Sequence, residues 1–289
     1  MDTKIKKEIV KIFNVKESKI KDLKRFSKGM SNYTYYFKIN DKAYVIRVIG
    51  DDADRYVDYH NEINAISAVL SNQLTSKLVY FDIETGTKVS EYIDGETIDF
   101  ETKNFDIKEL VFSLKKLHLI KNENIKNYAL IDRLNEYESF NKISDISKPY
   151  FALKTWWIEV FNKYYRNNEQ VFCHNDLQDA NIVRSSDDNK IYFIDFEYAA
   201  YNDVYYDIAG FEENALYVHS EYFGHPTTEK EKNHVIFYRI FQSLQWYQVA
   251  LYKHKIGFSE NTSYDFNELA NYFINKALSL YEEIKAGEF

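Results

Sequence analysis

The sequence predicts an α+β protein of two lobes, a small N-terminal antiparallel sheet lobe carrying one helix and a larger, mainly helical C-terminal lobe. Three observations carry this reading. Apolar residues alternate at period two between Tyr33 and Ile49, they recur at helical spacing through most of the chain after residue 105, and no repeat or Ser/Gly/Pro tract separates the halves. The change of rhythm puts the boundary after residue 93, giving an N-terminal lobe of residues 1–93 and a C-terminal lobe of residues 94–289.

Each element follows from its pattern. Ile5, Ile9, Ile12 and Phe13 fall at helical spacing. Tyr33, Tyr35, Phe37 and Ile39 then alternate, Asn40-Asp41 supplies a tight turn, and Ala43 to Ile49 returns as the second arm of a hairpin. Residues 54–72 resume helical spacing through Tyr56, Ile63, Ile66 and Leu70, and a second hairpin, Leu78 to Ile83 and Lys88 to Ile93, turns around Gly86. In the second lobe Asp106 and Glu109 are spaced as a capping box ahead of Leu110, Leu114 and Leu117. The helical rhythm breaks between Val171 and Phe196, where apolar runs at Asn181 to Arg184 and Lys190 to Ile194 flank the polar turn Ser185 to Asn189. A small hairpin buried among helices explains that break.

Composition excludes several classes. At 289 residues, with 45% hydrophobic and 28% charged, the chain can bury a substantial core. Its 45 acidic against 37 basic residues give a net charge of −8, the wrong sign for a nucleic-acid binder. No apolar run reaches the roughly 18 residues of a spanning helix, and Lys and Glu interrupt the first thirteen residues, so neither membrane insertion nor a signal peptide is expected. A single cysteine, Cys173, permits no internal disulfide; a cytoplasmic protein is the simplest expectation. Composition says nothing of the oligomeric state.

The polar residues concentrate in the break. Cys173-His174-Asn175-Asp176-Leu177-Gln178-Asp179-Ala180-Asn181 is followed by Ile194-Asp195-Phe196-Glu197, between apolar strands. Burying carboxylates there costs several kcal/mol unless metal, donors or a cleft compensates. A turn holding Asp176 and Asn181, with Asp195 ending the adjacent strand, offers one base and two hard oxygen ligands for Mg²⁺. Phosphoryl transfer to a hydroxyl needs that set.

His-x-Asp with Asn five positions after the Asp, then an apolar strand ending in Asp, resembles the signature of protein kinases and small-molecule kinases. The continuation is more specific. His174 to Asn181, and then Ile194-Asp195-Phe196-Glu197-Tyr198-Ala199-Ala200-Tyr201-Asn202 to Tyr206-Asp207-Ile208-Ala209, resemble the two diagnostic blocks of choline/ethanolamine kinases. The resemblance runs from about residue 20 to about residue 275 and is weakest in residues 100–165. It implies a two-lobed protein kinase-like fold, ATP and Mg²⁺ as cofactors, and a small amino alcohol as acceptor. It implies Asp176 as catalytic base, His174 as a scaffold of the catalytic turn, and Asn181 with Asp195 as metal ligands. Lys28-Gly29-Met30-Ser31-Asn32 resembles the family's short phosphate loop, which puts Gly29, Ser31 and Asn32 on the phosphates. Arg47, a lone cation in an apolar strand, stands at the family's phosphate-steadying position, with Glu62 to brace it. Glu91 and Ile93, in Ser90 to Gly95, match the connection that receives adenine, and Asp207 matches the residue that supports the catalytic turn.

For the acceptor, the resemblance points to Asp176, Gln178, Glu197, Tyr198 and Trp246. A quaternary ammonium is held by aromatic faces and carboxylates. Trp246 matches the first Trp of the family's Trp-x-x-Trp pair, whereas Val249 stands at the second, Leu269 replaces a Tyr, and Asn214 replaces a Glu, with Glu212 and Glu213 nearby. These departures weaken choline relative to ethanolamine or another amino alcohol. An aminoglycoside phosphotransferase is the nearest rival; a non-catalytic module of the same fold is disfavoured by the intact Arg47, Glu62, Asp176, Asn181 and Asp195 set. A protein kinase is disfavoured because no separate activation segment lies between Asp195 and Asp207.

Overall fold

A computed structural model of the chain describes residues 2–26, 32–50, 55, 57–261, 264–284 and 289. Two compact units divide it: Met1–Lys126 with Asp179–Ala199, and Asn127–Gln178 with Ala200–Phe289. The boundary expected after residue 93 falls inside the first unit.

The first unit opens with α1 (Asp2–Phe13), β1 (Lys21–Arg25), β2 (Asn32–Ile39), β3 (Lys42–Ile49), α2 (Tyr59–Ser71), β4 (Leu78–Phe81), β5 (Lys88–Glu91), β6 (Gly95–Thr97) and α3 (Ile107–His118). The chain continues through α4 (Leu130–Ser139), α5 (Lys148–Val160) and β7 (Val171–Cys173) of the second unit. It returns to the first unit for β8 (Ile182–Ser185) and β9 (Ile191–Phe193). It ends in the second with β10 (Ala200–Asn202), α6 (Val204–Ala209), α7 (Ala215–Phe223), α8 (Glu229–Lys255) and α9 (Phe266–Ile284).

Five strands of the first unit form a sheet in the order β1-β2-β3-β5-β4, every pair antiparallel. The hairpin expected around Asn40-Asp41 is present, with Ile39 opposite Lys42. Both turn residues adopt left-handed backbone, φ 49° and 64°, which matches the twist of the flanking strands and which Asn and Asp tolerate. Alternation along β2 sends Tyr33, Tyr35, Phe37 and Ile39 inward, where Ile5 and Ile9 of α1 cover them. α2 starts later than the spacing suggests because Asp58 caps it, accepting the Asn61 amide at 3.1 Å. Tyr56 and residues 51–54 lie outside the described residues.

The hairpin expected after Asn181 is β8–β9, and it gains an unforeseen third strand, β6. That pairing needs glycine at residue 95, where a Cβ would stand 2.3 Å from the Arg184 carbonyl oxygen. α3 begins as expected at Asp106, whose carboxylate accepts the Lys108 amide at 2.9 Å.

In the second unit β7 and β10 pair as a two-stranded ladder, Cys173 opposite Ala200. α8, started by a Thr228/Glu231 capping box, runs 27 residues and is buried on most of its faces. It forms the unit's centre: Trp157 of α5 stacks on Phe237 at 4.5 Å and donates its indole N–H to the Phe237 carbonyl at 3.0 Å.

Candidate active site

Two groups of the expected site residues assemble, one in each unit. In the first, Arg47 sits mid-strand on β3 at 3% exposure. A buried guanidinium is costly unless every face of its fork is met. Here Nη2 donates to Glu62 Oε2 at 2.7 Å and to the Gly86 carbonyl at 3.2 Å. Nη1 donates to Glu197 Oε2 at 3.1 Å and to Asp195 Oδ1 at 3.2 Å. Glu62, on the first turns of α2, is fully buried.

Lys88, which sequence reasoning missed, completes this group. It lies opposite Arg47 in the β3–β5 register, donates to Glu62 Oε1 at 2.9 Å, and stands 3.6 Å from Asp195 Oδ1. No local signal marks it, since β5 reads Lys-Val-Ser-Glu and the register that faces Lys88 to Arg47 is set by no local turn.

Asp195 follows β9 with left-handed backbone, φ 66°, and Glu197 occupies the 3₁₀ turn Phe196–Tyr198. Asn32 at the start of β2 donates its side-chain amide to Glu197 Oε2 at 2.9 Å. Asn181 is tied to the same hairpin, its carbonyl accepting the Ile194 amide at 2.9 Å, so its residue lies beside the one that precedes Asp195.

Among the described residues, two cations, Arg47 and Lys88, thus face three carboxylates, Glu62, Asp195 and Glu197, leaving one formal negative charge when all are ionised. The imbalance shows in the proton affinities. Burial pushes Glu197 up to about 7, the charge of Asp195 adds to that, and Arg47 only partly opposes it. Burial also works against the charges of Glu62 and Arg47. Lys88 and Arg47 nevertheless hold the Glu62 carboxyl below its ordinary value, and Glu62, Glu197 and Asp195 raise Arg47. Asp195 is the carboxylate that keeps solvent access, with its side chain 35% exposed. A group one cation short, with an accessible carboxylate and the Asn181 carboxamide as hard oxygen donors, fits Mg²⁺.

In the second unit the catalytic-turn candidates hang from Asp207. This carboxylate is 1% exposed and accepts the His174 amide at 2.7 Å and the Asn175 amide at 2.8 Å. Asn175 has left-handed backbone, φ 63°; its side-chain amide donates to the Cys173 and Ala200 carbonyls at 3.3 and 3.2 Å and its oxygen accepts from Asn202 at 2.8 Å. His174 is wholly buried, as a scaffold residue would be. Asp176 is half-buried at the apex, with Gln178 Nε2 3.4 Å from both carboxylate oxygens. Gly210 packs under the turn, where a Cβ would lie 2.3 Å from the Leu177 carbonyl oxygen.

The remaining candidates sit as follows. Gly29 and Ser31, with Lys28 and Met30, lie outside the described residues. Glu91 ends β5, and its amide, like that of Tyr92, is engaged by a neighbouring carbonyl, Lys77 and Ala43 respectively; Ile93 follows the strand. Tyr198 is buried at 6% exposure in the first unit. Trp246 is half-buried on α8 and stacks on Phe273 of α9 at 6.4 Å. Glu212 pairs with Lys276 and Glu213 with Arg239, each at 2.5 Å. Glu213, Arg239, Tyr272, Asn275 and Lys276 line a groove of about 410 Å³.

Comparison with known proteins bears on family and fold. The family model described as choline/ethanolamine kinase matches residues 23–241. Ethanolamine kinase 2 of Mus musculus is 26% identical over 235 residues, 74% of this chain and 59% of the mouse protein. The chain spans about half to two thirds of the length of the curated relatives it matches. Among solved structures, choline kinase LicA from Streptococcus pneumoniae superposes with a TM-score of 0.78 at 21% identity, over 98% of this chain and 99% of that one. The GDP complex of aminoglycoside 2′-phosphotransferase-IIIa superposes with a TM-score of 0.65 at 15% identity, over 98% of each chain. The fold is therefore the α+β kinase-like fold that the sequence leads one to expect.

Proposed function

Because this chain belongs to the choline/ethanolamine kinase family, we propose that it transfers the γ-phosphoryl group of ATP to the hydroxyl of choline, yielding phosphocholine and ADP. The observation that supports this most is the buried Arg47–Glu62 pair joined to Asp195 and Glu197.

In this reading the backbone of Glu91 and Ile93 receives adenine, while Asn32, with Gly29 and Ser31 shortly before it in the sequence, covers the phosphates. Asn181 and Asp195 would hold Mg²⁺, which supplies charge neutralisation at the β- and γ-phosphates when bound. Arg47, braced by Glu62, fixes Asp195 and Glu197, offsets part of their negative charge and so steadies the phosphates. Asp176 accepts the hydroxyl proton of the acceptor as its oxygen bonds to the γ-phosphorus and the bond to the bridging oxygen of ADP breaks. Gln178 orients the Asp176 carboxylate. His174 and Asp207 hold the turn. Glu197, Tyr198 and Trp246 shape the acceptor side. The family assigns an acceptor of small-molecule size, and the acidic chain suits neither nucleic acid nor membrane; no helix among the described residues is long and apolar enough to cross a bilayer. A lone, buried Cys173 supports a cytoplasmic site of action.

Ethanolamine is the second reading, favoured by a specific observation. Trp246 packs on Phe273, Val249 replaces a second Trp, and Glu212 and Glu213 are already paired with Lys276 and Arg239. A thinner aromatic wall suits a primary ammonium, which is held by hydrogen bonds, better than a quaternary one. ATP-dependent phosphorylation of choline and ethanolamine at matched concentrations, read by coupled ADP release, tests both. Turnover of neither substrate, with turnover of aminoglycosides instead, would overturn the reading.

A further inference from the structure

We propose that Lys88 competes with the divalent cation for Asp195, and so sets the free-metal concentration at which the site fills. The inference deepens the metal reading of Asp195 and rests on it.

Lys88 and Arg47 face each other across β3 and β5, a like-charge juxtaposition that destabilises a sheet unless acids lie between. Glu62 answers by dividing its carboxylate, Oε2 to Arg47 and Oε1 to Lys88. The two cations then converge on one atom, Asp195 Oδ1, at 3.2 and 3.6 Å. They are not equally held. Arg47 is locked by Glu62, Glu197 and the Gly86 carbonyl, and its planar fork cannot leave one partner without disturbing the rest. Lys88 ends a flexible four-carbon stem, touches Asp195 only at the outer limit of an ion pair, and keeps Glu62 as a partner whichever way it turns. A cation arriving at Asp195 therefore displaces Lys88, and the lost attraction is subtracted from metal affinity.

The test is a Mn²⁺ titration of the full chain without nucleotide, followed by electron paramagnetic resonance, on wild type, Lys88→Met, Lys88→Arg and Asp195→Asn. Lys88→Met is expected to bind Mn²⁺ about fivefold more tightly, the upper range for one partly exposed ion pair. Lys88→Arg should stay within about twofold of wild type, and Asp195→Asn should bind more weakly than wild type. Unchanged or weaker binding by Lys88→Met, with weaker binding by Asp195→Asn, overturns the role of Lys88 and leaves the metal reading standing. Unchanged binding by Asp195→Asn overturns the metal reading and the inference with it, as does absence of binding in both wild type and Lys88→Met. Lys88→Gln, checked by thermal melting, serves if Lys88→Met fails to fold.

Discussion

Asp207 receives the backbone amides of His174 and Asn175 on its two carboxylate oxygens, at 2.7 and 2.8 Å, so one buried side chain carries two consecutive residues of the turn that ends in Asp176. Asp207→Ala strands both amides and should cost about 2–4 kcal/mol of stability. Thermal melting reads the loss, and a variant as stable as wild type would show that the turn holds itself.

The underside of the same turn gives a steric prediction. Gly210 has ordinary helical backbone, so alanine there meets no torsional penalty, yet its methyl would lie 2.3 Å from the Leu177 carbonyl oxygen. Gly210→Ala should lower kcat by at least about tenfold while changing KM for ATP little, because it displaces the residue after the base and leaves the nucleotide side alone. Steady-state kinetics with choline and ethanolamine check the split.

Arg47→Lys keeps the charge and loses the fork. A lysine cannot meet Glu62, Asp195 and Glu197 together, so the bridge that ties the three carboxylates to one group is broken even though Lys88 still serves Glu62 and Asn32 still serves Glu197. Turnover should fall by about 100-fold or more, and Glu62→Gln should weaken it less, since Asp195, Glu197 and the Gly86 carbonyl still accept from Arg47. Equal activity of Arg47→Lys and wild type would remove Arg47 from the mechanism.

Asp203 sets an acid limit. Burial alone would raise its carboxyl, but the nearby His234 imidazole, 3.1 Å away, with help from Asn168 and the Tyr205 amide, holds it below the ordinary value. A depressed carboxyl stabilises the fold above the unfolded value, roughly pH 4, and that stability is lost as the pH falls through the folded one. Asp203→Asn should therefore be less stable than wild type at pH 7, with the difference shrinking below about pH 4. Urea unfolding across that range is the measurement; a gap that stays constant with pH would contradict it.

Trp246→Ala separates the two acceptors. If the indole faces the ammonium as well as Phe273, KM for choline should rise by about threefold to thirtyfold and that for ethanolamine less. Equal changes for both would make Trp246 a packing residue.

How much of this was legible varies from element to element, for physical reasons. The β2–β3 hairpin was readable because period-two alternation and a two-residue Asn-Asp turn are both local signals. The late start of α2 was not, since Tyr56 falls on the helical period while the cap at Asp58 decides where hydrogen bonding begins. β6 was invisible: Gly-Glu-Thr has no apolar alternation, and its pairing follows from β8 lying beside it, more than 80 residues later in the chain. Among candidate site residues, Asp176, Asn181 and Asp195 stood out in the sequence through a dense polar block and the strand end after it, and Asp207 through the family resemblance. Lys88 was missed because its meaning lies in a cross-strand register between β3 and β5, and Glu197 could be assigned to Arg47 only once three dimensions brought them within 3.1 Å. The surroundings of Trp246, Glu212 and Glu213 depended on helix–helix packing, which put Phe273 against Trp246 and basic partners against the two glutamates.

The return of residues 179–199 to the first unit bears on how the protein is made. Two of the acids that answer Arg47 lie 148 and 150 residues downstream of it, so a nascent chain halted after α3 holds a guanidinium in its sheet with Glu62 and Lys88 but without Asp195 and Glu197. Native closure of that sheet has to wait until β8, β9 and the turn behind them leave the ribosome, a long-range dependence that slows folding. Truncated chains ending between residues 126 and 199 should consequently be protease-sensitive in the very segment that looks, by order of synthesis, as though it were already finished.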